Sequence, residues 1–146
     1  MADRRKSCAL IALAAAATLG ALCGCSGGGP LKPGLRYPTG MPRAEPSNIQ
    51  LVRSPRTVRM TNTTADSYGP STVWLNQWYA AEIDELPIGG SVALRLSRFE
   101  DEFGDSFRGG GFFAAQSPDI IVKAELETEL DGRPVLIPLI VVGDQN

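Results

Sequence analysis

The residue types that carry chemistry are unevenly supplied. Histidine is absent from the 146 residues. That removes Ser-His-Asp and Cys-His catalysis, imidazole-based zinc sites and any histidine pH switch. The thiols, Cys8, Cys23 and Cys25, all fall within the first 25 residues. Neither a disulfide framework nor a thiolate metal site can therefore support the rest of the chain. Carboxylates and aromatics remain. Glu100, Asp101, Glu102 and Asp105 crowd the segment Phe-Glu-Asp-Glu-Phe-Gly-Asp-Ser-Phe, and their oxygens suit calcium, a hard cation. The spacing is not that of an EF-hand. The competing reading is a solvated acidic connection whose Phe99, Phe103 and Phe107 insert into a core. As a glycosidase pair the same acids would have to face each other across a saccharide cleft, which a domain this small rarely builds unaided.

Trp78 and Tyr79, with Trp74 nearby, offer an aromatic platform for a glycan or peptide. Core packing competes with that reading, more strongly for Trp74 than for Trp78, because an aromatic on a central strand usually buries its ring. Asn62-Thr63-Thr64 is a formal glycosylation sequon, read here as a polar loop. Gly109 to Gly111 lacks the Lys-Ser/Thr that follows a phosphate-cradling loop, so nucleotide binding finds no support.

The N-terminus reads as an address. Arg4, Arg5 and Lys6 precede an apolar run from Cys8 to Leu22. That run is short of the roughly 20 residues that span a bilayer as a helix, which makes it a signal-peptide h-region. Leu22-Cys23-Gly24-Cys25 then resembles the lipobox of bacterial lipoproteins. The resemblance implies that residues 1–24 are removed, that Cys25 receives a diacylglycerol thioether, and that the new amine is acylated. Cys23 is a poor competing acceptor because Leu22 would stand where a small residue is wanted. Ser26, in place of an aspartate, implies by the same resemblance an outer-membrane destination facing the periplasm. In an organism with one membrane it implies the outer face of the cell membrane. Each buried methylene contributes about 0.8 kcal/mol, so several acyl chains together anchor permanently. An ordinary secretory signal, cut at a nearby small residue, is the alternative.

Residues 25–48 read as the lipidated cysteine followed by a disordered tether. Gly27, Gly28, Gly29, Gly34 and Gly40 alternate with Pro30, Pro33, Pro38, Pro42 and Pro46, and such a composition cannot build a core of its own. Extended, this stretch would hold a domain on the order of 60 Å from the lipid. Charge divides along the chain as well. Residues 26–60 carry six basic side chains against Glu45 alone, whereas residues 61–146 carry five against fourteen acids. The basic arm either lies along anionic headgroups or keeps a linker soluble, with some of its arginines facing the acidic body. The acidic body disfavours nucleic acid as a partner.

From residue 49 onward the hydrophobic pattern has period two, which predicts strands. Ile49–Val52 and Thr57–Thr61 are the first, the latter with Val58 and Met60 on one side. Thr72–Ile83 is one long strand or, preferably, a hairpin turning at Asn76-Gln77. Leu86-Pro87-Ile88-Gly89-Gly90 is a turn leading into Ser91–Ser97, with Val92, Leu94 and Leu96 inward. Phe107–Ala115 is aromatic but interrupted by glycines, with Phe112 and Phe113 expected to pair. Ile120–Thr128 alternates with Ile120, Val122, Ala124 and Leu126 inward. Asp131-Gly132 is a hairpin signal before Val135–Val142, where Pro138 argues for an edge strand or a bulge.

Short strands without an amphipathic helix predict an all-β fold: a small antiparallel β-sandwich, immunoglobulin-like or fibronectin-III-like, over residues 49–146. The segments Asn-Thr-Thr, Val-Trp-Leu-Asn, Leu-Pro-Ile-Gly-Gly and Phe-Glu-Asp-Glu-Phe-Gly resemble those of small immunoglobulin-like domains of bacterial envelope proteins, which implies architecture and no activity.

The expectation is thus a membrane-anchored envelope lipoprotein whose sandwich is a non-catalytic structural or protein-binding module, with no cofactor. Its partners would be the membrane, through the N-terminal lipid, and an envelope protein. Val135–Val142, an apolar edge guarded only by Pro138, is a candidate for strand addition unless the domain covers it itself. The alternative is a ligand-binding domain, for a glycan through Trp78 and Tyr79 or for calcium through the 100–105 loop.

Overall fold

The period-two segments fold as two facing sheets. The computed structural model describes residues 34–112 and 114–142. The leader, Cys25, the tether up to residue 33, and Phe113 lie outside the described residues. The strands are β1 (Ile49–Arg53), β2 (Thr57–Asn62), β3 (Ser71–Leu75), β4 (Tyr79–Ile83), β5 (Ser91–Arg95), β6 (Ala124–Leu130), β7 (Arg133–Pro138) and β8 (Ile140–Val142). One sheet runs β5-β2-β1-β8 and the other β4-β3-β6-β7. Every pairing is antiparallel except that of β1 with β8. In immunoglobulin lettering β5-β2-β1 is E-B-A and β4-β3-β6-β7 is C′-C-F-G, so the expected sandwich is the one found.

Between the sheets lie the inward residues of each strand, among them Leu51, Met60, Val73, Leu75, Leu94, Leu126 and Ile137. Phe99 and Phe107 enter from the long connection between β5 and β6 and are fully buried. Turns follow local chemistry. Asn76 and Gln77 both take positive φ, the requirement of a primed hairpin turn, and the Trp78 N–H closes it on the Leu75 carbonyl at 3.1 Å. Gly89 sits at φ +66, at the position of a Pro-initiated turn where a side chain would be strained.

Three expectations need correction. In the Ser91–Ser97 segment, β5 ends at Arg95 and the chain tightens into a 3-10 turn at Leu96–Arg98, although Leu96 does point inward. No strand forms over 107–123 among the described residues, and Phe112 is exposed. Ile120 and Val122 face outward, and Ile121 is the buried residue. The reason lies in the Asn76 side chain. Its amide donates to the Ile120 carbonyl at 2.7 Å, and its oxygen accepts from the N–H groups of Val122 (2.8 Å) and Lys123 (3.3 Å). Backbone groups that a ladder would use are taken, so β6 begins only at Ala124.

The largest correction concerns the tether. From Gly34 onward the chain is packed against the protein. It runs as a strap across the outer face of β4-β3-β6-β7, starting beside Asp101 and ending along β7. A turn at Pro38–Met41, closed by the Met41 N–H on the Pro38 carbonyl at 3.1 Å, shapes its middle. The strap builds no core of its own; it completes one that the sheet already half provides. At its start there is room for glycine only, because a Cβ on Gly34 would lie 1.9 Å from the Asp101 carbonyl oxygen. Gly34→Ala is accordingly expected to destabilise by about 1–3 kcal/mol. A urea midpoint unchanged from wild type, with unaltered tryptic cleavage after Arg36, would refute that close approach.

Candidate functional site

Trp74 sits in the middle of β3, yet it points away from the inter-sheet core. Its ring is 2% exposed because the strap covers it, with Tyr37 edge-on at 5.3 Å and Met41 beside it. Ala80 and Leu136 complete this second apolar cluster. Next to Trp74 in the β3–β6 register is Glu125, 1% exposed. A carboxylate buried this far requires several donors, and the strap supplies two of them. Tyr37 Oη donates at 2.7 Å and Arg43 Nε at 3.0 Å, while Lys123 Nζ lies 3.0 Å away. With its oxygen turned inward, the Gln77 carboxamide accepts from Arg43 Nη2 at 3.0 Å and Lys123 Nζ at 2.9 Å. Burial pushes the Glu125 carboxyl up, and the bonds from Tyr37, Lys123 and Arg43 outweigh it, holding the group below its usual range.

The strap also closes the edge of the sheet. Pro42 accepts from the Leu136 N–H, Ala44 donates to the Leu136 carbonyl, and Ser47 donates to that of Pro138, at 2.9–3.2 Å. Val135–Val142, expected as one edge strand and a site for strand addition, is instead divided: its β7 part is occupied by residues 42–47 of the same chain, and after Leu139 the chain crosses to the other sheet as β8, beside β1.

Beyond the strap the outer face of the sheet is open and acidic. Thr72 is the register neighbour of both Glu82 and Glu127, and Glu129 lies opposite Pro134. With Asp84 these residues line a groove of about 820 Å³ in which every charged side chain is a carboxylate. Glu127 is fixed by Trp74 Nε1 at 2.7 Å, which ties the groove to the strap cluster. Glu82, Asp84 and Glu129 are exposed and face solvent across it. Of the four, the strand alternation marks only Glu127 as outward, and the sheet register gathers the others beside it.

The aromatic pair singled out in the sequence is split where the turn ends and β4 begins. Tyr79 turns inward and packs edge-on against Phe107 at 5.1 Å, and burial, followed by the Asp119 charge, raises its hydroxyl. Trp78 stays outside. It packs against Phe103, ring centres 6.4 Å apart, and donates from Nε1 to Asp101 Oδ2 at 3.1 Å. Phe103 is thus at the surface, against the expectation that all three phenylalanines insert.

In the acidic loop, Asp101 is spent internally. Its Oδ1 accepts the N–H groups of Phe103 and Asp105, both at 2.9 Å. Burial raises the carboxyl, and the bonds from Asp105, Phe103 and Trp78 outweigh it and lower it. Glu102 pairs with Arg36 of the strap at 3.6 Å. Among the described residues no three carboxylates converge as a metal cage. Calcium in this loop would have to displace the donors that now shape it. Asn62, read as part of a sequon, is buried and pins its loop through the carbonyls of Asp66, Leu86 and Pro87.

No protein-family model matches the chain, and neither curated proteins nor solved structures show significant similarity to it. Its functional reading therefore rests on its own residues.

Proposed function

We propose that the protein is a membrane-anchored envelope lipoprotein, attached through Cys25 and facing the periplasm from the outer membrane. Its β-sandwich is a non-catalytic module that binds a cationic segment of an envelope protein in the acidic groove. One observation carries the reading. The strap meets the sandwich beside Asp101, at the β3–β4 turn end, whereas the groove opens at the opposite end of the same sheet, next to Gly69, Pro70 and Pro134. A chain held to lipid by its N-terminus would present the groove outward.

The groove suits a basic partner because its charged groups share one sign and the wall beneath them is a packed sheet, which focuses the field and steers an oppositely charged chain. The occupied β7 edge removes strand addition there, and in the groove recognition runs through side-chain charge.

Crosslinking in cells followed by pull-down of the lipidated protein tests the reading. The doubly reversed variant Glu82→Lys/Glu129→Lys, whose side chains are exposed and outside the strap cluster, is expected to weaken partner capture by on the order of tenfold or more. Wild-type capture should fall as salt rises. Equal recovery of the same partner by both proteins would exclude the groove, and an unmodified Cys25 sulfur in the intact mass would exclude the anchor.

A further inference from the structure

Four solvent-facing elements meet at the end where the strap begins: the β1–β2 turn, the β3–β4 turn, the acidic loop, and the approach to β6. Several of their apolar side chains are exposed. Trp78 is 47% exposed, Phe103 68%, Phe112 95%, Ile120 57% and Val122 78%. Trp78 and Phe103 touch. Asn76, two residues before Trp78, is bonded to the backbone at Ile120 and Val122. The residues around Phe112 pack beside Pro55 of the β1–β2 turn, and Gly110 donates to the Pro55 carbonyl. The loop bearing these groups is held in shape. Arg108 and Asp119 clamp its base through Nη2–Oδ1 at 2.7 Å, and Phe99 and Phe107 root it in the core. The aromatic groups are therefore presented by a built surface.

The strap fixes what this surface faces. Gly34 lies against Asp101, two residues from Phe103, and Cys25 is nine residues earlier in the chain. Nine residues at roughly 3.3–3.6 Å each reach about 30 Å at most, half of what a free tether through residue 48 would allow. Acyl chains on Cys25 would bring this end of the sandwich to the lipid before any other.

We infer that the Trp78–Phe103 end is a membrane-resting face, which docks on the headgroup and upper acyl region of the bilayer that holds the lipid anchor. This rests on the Cys25 anchoring reading. Tryptophan is suited to that depth, its ring apolar and its N–H polar. Linkage through a short segment makes the contact intramolecular, so even weak insertion is populated. Charge at this end favours a zwitterionic surface. Asp101 is engaged by Trp78 and the loop N–H groups, Glu102 faces Arg36, Asp119 faces Arg108, and Arg56 and Arg98 stand against Glu100 and Asp105.

The test uses the mature lipidated chain in phosphatidylcholine–phosphatidylethanolamine vesicles whose acyl chains carry bromine, a contact quencher of tryptophan. Flotation reports anchoring and quenching reports docking. The expected result is flotation together with loss of Trp78 emission, no such quenching in Trp78→Phe, and reduced quenching with undiminished flotation in Phe103→Ser/Val122→Ser. Flotation with emission indifferent to bromine would overturn the docking while leaving the anchor intact, and failure to float would overturn both. Trp78 shielded only once an envelope polysaccharide or a protein is added would assign the face to that occupant instead.

Discussion

Trp74→Ala is expected to cost about 3–5 kcal/mol, the loss typical of a large buried aromatic, and to free residues 34–47 in the same step. Trp74 belongs to a cluster separate from the inter-sheet core; it is the floor that Tyr37 and Met41 roof. Its removal leaves a cavity open to water at the strap margin, unpairs Glu127 from its indole donor, and removes the edge-on partner of Tyr37. The inter-sheet core remains. The variant should accordingly keep its far-ultraviolet spectrum while its urea midpoint drops and trypsin gains access after Arg36 and Arg43. Resistance to trypsin equal to wild type would show that backbone bonds along β7 hold the strap without the indole.

Glu125→Gln should be the second most damaging change, by about 2–3 kcal/mol, since a buried carboxylate here receives charge-assisted bonds that an amide cannot reproduce. The figure is kept below that of a fully buried ion pair because Arg43 and Lys123 are each about two-fifths exposed and regain water when the carboxylate is lost. The pH dependence has a definite sign. The folded-state value of Glu125 is lowered, so the unfolded chain takes up the proton first as pH falls. The stabilisation is complete above the unfolded carboxyl value of about 4.3 and disappears as pH drops through the folded value. Urea midpoints measured from pH 6 to pH 2.5 should therefore decline below pH 5, more shallowly in Glu125→Gln. Asp101 and Asp119 are lowered as well, so the slope should shrink without vanishing. Identical slopes for the two proteins would remove Glu125 from the acid response.

Both changes act on a structure that composition hid. A stretch of Gly and Pro around Tyr37 and Met41 lacks the apolar content to fold alone, and that inference was sound for an isolated segment. What it omitted is that a sheet has two faces. The alternation of β6 marks Glu125 as outward, which it is, and an outward carboxylate is ordinarily solvated. The strap makes it buried. In the same way Trp74 is buried as expected, but against the strap and not between the sheets. Val58, Met60, Leu94 and Leu126, by contrast, point where their alternation says, because side-chain direction along a strand is fixed by the backbone and needs no knowledge of what lies across from it. The Asn76-Gln77 turn was legible for the same reason: asparagine tolerates positive φ and stands between two apolar runs.

The sequence by itself determined the all-β class, the inward face of most strands, the positions of the main turns, and the exclusion of histidine and body-thiol chemistry. These follow from residue types and from periodicities spanning a few neighbours. Tertiary structure alone decided that residues 34–47 seal the β7 edge, that Trp78 and Tyr79 part company, that four carboxylates share one groove, and that bare aromatics gather where the strap begins. Each of those depends on contacts between residues tens of positions apart. The burial of an outward side chain is set by whatever else in the chain comes to lie over it, and no local pattern encodes that.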